Sequence, residues 1–318
     1  MRRLCASKNC RMDSVFEYRD CPCCGGNDFE VLFQSSMKAD DFDVLLDYSM
    51  EEYDSQEWGR YVRCRNCHLI YMNPLENVSK TNQYYREAKN THASTVRDSY
   101  LRTGQSQLRL IQRLAGGTNL LDIGCAQGFF LFNASKAGYT AEGVEVSQDA
   151  AAYARREFGL NVEVKPFEEV RFGEAYFDVV TLWQVLEHVP QPLMMLKEVR
   201  RILKPGGLVV ASTPNIGGIP AKLLGKKWWD IKRLHINQFA TGTLANLLRN
   251  AGFRNISSVS FRGFVSVSVL LAMTLRYLNA YEPVGFLFSP HSASGKMMNK
   301  IMLAYSSRLN FATVVGFK

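Results

Sequence analysis

No stretch of this chain reaches the ~18 consecutive apolar residues that a membrane-spanning helix needs, so none is predicted. The basic opening, M-R-R-L-C-A-S-K-N-C-R-M-D-S, has no apolar core behind its arginine pair, which argues against a signal peptide. Acids are in deficit: 30 Asp and Glu stand against 38 Lys and Arg, a formal charge of +8. That balance suits an anionic partner, whether a nucleotide-linked sugar, a nucleic acid or an anionic membrane, and chooses none of them. Nor is the composition that of a disordered chain, since 47% of residues are apolar. A length of 318 residues accommodates one ordinary catalytic domain and a small extra module. The cytoplasm is the expected compartment, where paired cysteines more often hold metal than form disulfides.

Cysteines are few but paired. C-P-C-C-G-G begins at Cys21, and Y-V-R-C-R-N-C-H-L-I-Y-M-N-P contains Cys64 and Cys67. Two C-x-x-C knuckles, Cys21/Cys24 and Cys64/Cys67, are each followed by a strand-like run. Four thiolates so spaced can close a tetrahedron around one Zn2+, a staple that a small module with little core requires. Two redox-active pairs, or simply buried cysteines, are the alternatives. Cys23 would need a tighter knuckle than Cys24, and His68 reads as a surface residue. The expected module covers residues 21–74, a zinc ribbon, behind a polar tail of residues 1–20 in which Cys5 and Cys10 have no assigned role. An alternating strand (29–33) and an acidic, aromatic segment (40–58) lie between the knuckles.

The organising stretch is L-L-D-I-G-C-A-Q-G, Leu120 to Gly128, followed by F-F-L-F. It reads as a buried strand, a tight glycine loop and an apolar-faced helix. In a doubly wound sheet that first loop is where ligands bind. The loop lacks the G-x-G-x-x-G spacing that presents bare amides to a pyrophosphate. It also carries Asp122 two residues before Gly124, where a pyrophosphate would be repelled. S-adenosylmethionine has no phosphate and carries a sulfonium and an ammonium, so an acid beside the loop suits it. The second strand ends in V-E-V, and its Glu145 lies about 20 residues past the loop, the usual distance for an acid that binds ribose hydroxyls. A generic nucleotide-binding domain with another ligand is the alternative.

Residues from about Gln107 to Gly252 resemble class I S-adenosylmethionine-dependent methyltransferases, in particular the group that includes quinone O-methyltransferases and enzymes of sugar and polysaccharide pathways. The resemblance implies a Rossmann-like seven-stranded α/β sheet, with D-I-G-C-A-Q-G as the methionine-binding loop and Glu145 on the ribose. It also implies cofactor contacts at Asp122, Gly124, Cys125 and Gly128, at Phe167 beside adenine, and at Trp183 and Gln184 where the fourth strand ends. Cys125 reads as a packing residue, not a nucleophile, and a core role for Phe167 competes with the adenine contact. Related enzymes often carry such a ribbon, with N-P soon after its second pair, as at Asn73-Pro74.

The fourth strand, F-D-V-V-T-L-W, runs into Q-V-L-E-H-V-P-Q-P. A helical turn there would put Gln184, Glu187 and His188 on one face. His188 and His235 are the candidate bases for a hydroxyl acceptor, with Glu187 beside them. Small-RNA 2′-O-methyltransferases and quinone O-methyltransferases have a similar E-x-x-E-H turn and a later histidine, which hold a divalent metal. This chain matches at Glu187, His188 and His235 but has Gln184 in place of the first acid, which weakens a hard-cation site. L-E-H-V also occurs in metal-free members, so a base or cofactor-proximal role, metal ligation and a helix cap are all weighed for His188.

The remaining helices are expected over residues 75–116, after Glu145, at 192–203 and from Thr241 to Gly252. A long loop with Lys222, Lys226, Lys227, Lys232 and Arg233 around Trp228 and Trp229 precedes His235, and such loops usually serve substrates. The catalytic domain is expected at 75–262 and 310–318. The insert at 263–309 is expected to be a helical pair, its second helix at Met297 to Tyr305, that either caps the pocket, contacts a membrane surface, or packs as a dimer or core element. The leading function is methyl transfer to an oxygen of a small-molecule or glycan acceptor, for which the basic balance suits an anionic character. RNA modification is the second reading, less favoured because no RNA-binding module accompanies the basic loop. A non-catalytic scaffold is the third, opposed by the intact loop acids.

Overall fold

The computed structural model describes residues 16–34, 60–76, 86, 93–277 and 292–318. The acidic, aromatic segment 40–58, Cys5 and Cys10 lie outside them, as do Tyr84 and Tyr85 within the helical stretch expected at 75–116. The first part is built of short strands: β1 (Phe16–Glu17), β2 (Phe29–Gln34), β3 (Arg60–Cys64), β4 (Ile70–Met72) and β5 (Leu75–Glu76). Then come α1 (Ala93–Leu114), β6 (Asn119–Ile123), α2 (Phe129–Lys136), β7 (Thr140–Glu145), α3 (Gln148–Phe158), β8 (Asn161–Val164) and β9 (Phe177–Trp183). The chain continues through α4 (Pro192–Ile202), β10 (Leu203–Pro214), α5 (Ile219–Leu224), β11 (Asn237–Gln238), α6 (Thr241–Asn250) and β12 (Arg254–Ser258). It closes with β13 (Arg262–Ser266), α7 (Val267–Tyr277), α8 (Ala293–Asn299), β14 (Met302–Ser306) and β15 (Phe311–Phe317).

The main sheet has seven strands in the order β12-β15-β10-β9-β6-β7-β8. β10, β9, β6, β7 and β8 are mutually parallel, and β15 runs antiparallel to both β10 and β12. Strands buried on both faces need continuous apolar runs, and Leu120, Leu121, Val179, Val180, Val209 and Val210 are fully buried. α4 and α6 cover one face, and α1, α2 and α3 cover the other. Strand order reverses between β6 and β9, which opens a crevice at their carboxyl ends, the place where such sheets bind ligands.

The ribbon is not a separate bead. Its sheet has the order β11-β4-β3-β2, so the fourth strand comes from the long loop after β10. Residues 16–20, expected to be tail, are folded: Phe16 pairs with Glu76 and Glu17 with Leu75. The insert also departs from expectation. Met297 to Tyr305 is not a helix, because α8 stops at Asn299 and β14 pairs antiparallel with β13, from Ser266↔Met302 to Arg262↔Ser306. Tyr305 lies opposite Gly263, where a Cβ would come within 2.1 Å of the tyrosine ring. No helix among the described residues is long and apolar enough to cross a membrane.

Candidate active site

The loop after β6 turns through left-handed residues: Gly124 at φ 68°, Ala126 at φ 46° and Gly128 at φ 76°. Glycine is required twice over at its two ends. A Cβ on Gly124 would come within 2.7 Å of Val185 Cγ2, and one on Gly128 within 2.5 Å of Leu160 Cδ1. Glu145, at the tip of β7, accepts the Ala126 amide at 2.9 Å and the Ser147 amide at 2.8 Å. Its carboxyl therefore holds the loop in shape and keeps further acceptor capacity. Asp122 is buried and accepts the Thr181 hydroxyl at 2.6 Å. Two buried acids beside one loop disfavour a pyrophosphate and suit a cationic ligand.

Burial pushes the Asp122 carboxyl from 3.8 up to about 7, with Glu145 adding to the rise and the Thr181 bond opposing it. The neutral carboxyl stabilises the free fold below pH 3.8, and that stability is lost as pH climbs through about 7. A cationic ligand prefers the ionised form, so S-adenosylmethionine affinity is expected to rise with pH toward about 7 and level above it. Asp122→Asn should flatten that slope in isothermal titrations. An identical slope in the variant would place the titrating group elsewhere.

Cys125 is a packing residue here: it is buried, and a Cβ on Gly143 of β7 would meet its Sγ at 2.7 Å. Burial raises its thiol well above the ordinary range. Phe167 is buried with its ring 6.4 Å from that of Phe172. Trp183 meets Phe130 at 5.4 Å and Phe261 at 5.5 Å, and its buried indole nitrogen has no acceptor among the described residues.

After β9 the chain makes a tight turn, not a helix. Gln184 is exposed and left-handed (φ 59°), its amide tied to Ser212 O at 2.7 Å, and the His188 amide then closes on Val185 O at 3.0 Å. Gln184 is thereby separated from the face it was expected to share. Glu187, His188 and His235 do converge, with one ligand-capable atom from each lying within 4.8 Å of the others. The two imidazole rings stand 4.8 Å apart at 75°. His188 Nδ1 sits 2.8 Å from Leu234 O, and His235 Nδ1 2.9 Å from Asp230 O. A ring that donates Nδ1–H to a carbonyl presents Nε2 as its lone-pair atom. Both Glu187 oxygens are buried without a hydrogen-bond partner among the described residues. Burial, with Asp230 adding, pushes Glu187 up to about 8, while burial and the Lys232 charge hold His188 down near 4.

The residues that assemble this cluster were not evident in the sequence. Asn237 of β11 donates its side-chain amide to Leu186 O at 3.1 Å and Val189 O at 2.7 Å, and its backbone amide to Glu187 O at 3.0 Å. The Tyr61 hydroxyl of β3 lies 2.9 Å from His235 O. Arg19 reaches Pro190 O at 2.9 Å and Ile236 O at 3.2 Å. A polar I-N-Q after a candidate histidine was the available signal for Asn237. Nothing local pointed to Arg19.

In the ribbon, the sulfurs of Cys21, Cys24, Cys64 and Cys67 lie within 4.8 Å of one another. Cys21–Cys67 is 3.4 Å and Cys24–Cys64 3.6 Å. Zn–S bonds of ~2.3 Å in a tetrahedron put sulfurs about 3.8 Å apart, so this donor set fits the ion. Cys23 is not one of the four but is buried against them, its thiol beside that of Cys67 and its carbonyl accepting from Asn250 at 3.1 Å.

Central parallel strands closed by an antiparallel β15, with an acid-flanked glycine loop at the reversal of strand order, define a class I S-adenosylmethionine-dependent methyltransferase. Residues 93–258 match the family model described as "Methyltransferase domain", and the chain belongs to that family. Over 118 residues it is 36% identical to a ubiquinone biosynthesis O-methyltransferase of Bordetella avium, covering 34% of this chain and 49% of that protein. Over 105 residues it is 36% identical to the protein of the same name from Methylococcus capsulatus, covering 31% and 44%. The chain thus spans about half the length of the curated relatives it matches. A Thermotoga maritima S-adenosylmethionine-dependent methyltransferase, titled a possible histamine N-methyltransferase, superposes with a TM-score of 0.49 at 20% identity, over 76% of this chain and 97% of that one.

Proposed function

We propose that this protein transfers the methyl group of S-adenosylmethionine to a hydroxyl oxygen of a small molecule seated against Glu187, His188 and His235. The observation that carries the reading is the buried Glu187 carboxyl, without a hydrogen-bond partner among the described residues, beside two imidazoles whose Nδ1 atoms are held by backbone carbonyls. Two imidazoles and one carboxylate form a donor set suited to a divalent transition cation, more than to Mg2+. When bound, such a cation polarises the acceptor oxygen and eases loss of its proton. The chain's own residues do the aligning. Asp122 and Glu145 set the donor in the crevice, and the turn after β9 sets the acceptor opposite it, which is the main protein contribution to an in-line displacement. Without a cation, neutral His188 is the residue placed to accept the acceptor's proton.

The names of the ubiquinone biosynthesis relatives support a phenolic or quinol hydroxyl as the acceptor. Lys222, Lys226 and Lys227 on the loop before His235 favour an acceptor with anionic character, a glycan phosphate included. We also assign Zn2+ to the four ribbon thiolates, in a closed structural role.

The test is transfer of a labelled methyl group to catechol-type quinol precursors, sugar nucleotides and RNA, each with Mn2+ and after mild chelation. Transfer to the phenolic acceptors, lost on chelation and restored by Mn2+, is expected. Transfer to RNA alone, falling steeply with salt, would replace the acceptor class. Absence of S-adenosylmethionine binding in a titration would remove the reading altogether.

A further inference from the structure

Arg19 stands two residues before the first ribbon cysteine, and its guanidinium reaches three separate parts of the chain. Nε donates to Met72 O at 3.1 Å, Nη1 to Pro190 O at 2.9 Å, and Nη2 to Ile236 O at 3.2 Å and Asn237 Oδ1 at 3.1 Å. Its own backbone is gripped by Asn73, which accepts the Arg19 amide at 3.1 Å and donates to the Arg19 carbonyl at 3.0 Å. The guanidinium also lies 5.4 Å from the centre of the Tyr71 ring. Each acceptor of its side chain is neutral, and no carboxylate among the described residues forms an ion pair with it. Tyr71 and the nearby Cys21 sulfur favour its charge, but they do not account for four directed bonds that all go to neutral carbonyl oxygens. The identity of those carbonyls explains them better: Pro190 is two residues beyond His188, and Ile236 is one beyond His235.

We propose that Arg19 is a positioning residue of the transfer centre, a fork that fixes the His188 turn and the His235 loop relative to each other and to the ribbon. This rests on the reading of Glu187, His188 and His235 as that centre. Each imidazole takes its orientation from a carbonyl of the 230–234 segment, so the spacing of the two backbones sets the mutual placement of the rings. Lysine cannot substitute: one ammonium on a flexible stem does not reproduce a planar fork spanning three segments of backbone.

The experiment uses the full chain with its ribbon metal, as Arg19→Lys, Arg19→Met and Arg19→Gly. Four quantities are read: zinc content, S-adenosylmethionine affinity, solvent exchange of the imidazole Nδ1–H protons by nitrogen-15 NMR, and methyl-transfer turnover. The expected result for Arg19→Lys is unchanged zinc, cofactor affinity within about twofold, imidazole exchange at least about tenfold faster, and turnover about tenfold or more lower. Methylguanidinium added to Arg19→Gly should restore slow imidazole exchange. Unchanged imidazole exchange in both Arg19→Lys and Arg19→Met overturns the proposal. So does faster exchange that spreads evenly over all backbone amides, the mark of plain destabilisation. Full turnover in His188→Ala would instead remove the assignment of the centre, a result separable from the exchange measurement.

Discussion

His188→Ala is expected to lower methyl-transfer turnover by about 10²–10⁴-fold, the range for loss of a positioned proton-transfer group. The cofactor affinity should change little, because the loop proposed to hold the donor is built from Gly124, Ala126, Gly128 and Glu145 and takes nothing from His188. The size of the effect follows from how the ring is held. Leu234 O fixes its Nδ1 edge at 2.8 Å, and burial keeps it neutral, so its other nitrogen presents a lone pair at working pH. On the proposed reading that nitrogen acts as a base or as a cation ligand, and alanine removes both. His188→Gln separates the two, since an amide oxygen is a weak ligand and no base. Measuring turnover with labelled donor and affinity by titration checks the expectation. A turnover equal to wild type would exclude His188 from the chemistry.

The largest effect on stability is expected at Cys64. It is fully buried, and its sulfur lies 3.6 Å from that of Cys24. Replacing it with serine removes one of four converging thiolates and leaves the other three without a closed coordination sphere. A structural metal contributes several kcal/mol of folding free energy, and each kcal/mol moves a domain of this size by about 2–4 °C. A fall in Tm of about 10 °C or more is therefore expected, together with loss of turnover, because β11 is the fourth strand of the ribbon sheet. Strong chelation of the wild-type protein should reproduce both losses, and readdition of Zn2+ should reverse them. A chelated protein with its melting curve and turnover intact would show that the thiolate cluster has no structural role.

The parts of the fold that were legible in the sequence are those whose signals are local. L-L-D-I-G-C-A-Q-G marks β6 and its loop because a buried strand and two obligatory glycines write themselves into a few adjacent residues. F-D-V-V-T-L-W gives β9 with its observed ends. The features that were not legible depend on distant partners. Met297 to Tyr305 has an apolar pattern compatible with a helix, and only pairing with β13 makes part of it β14. Gln184 fits a helical face by spacing, yet the bond from its amide to Ser212 O sends the chain through a left-handed turn. The helix expected at 192–203 does end at Ile202, but Lys204 to Gly207 just after it are already inside β10, at an irregularity in its pairing with β9. Arg19 is one basic residue in a polar stretch, and its acceptors at Pro190 and Ile236 are 171 and 217 positions away. No local pattern encodes such a bond.

The pairing of Asn237 and Gln238 with Tyr71 and Ile70 sets an order on biosynthesis. The cysteine knuckles leave the ribosome well before residue 237 exists, so the nascent ribbon can take up metal while one edge of its sheet is still bare. That edge is a short row of unsatisfied amides and carbonyls, open to the wrong strand until the right one is made. Translation speed across the middle of the message should therefore influence how much of the newly made protein reaches its native form.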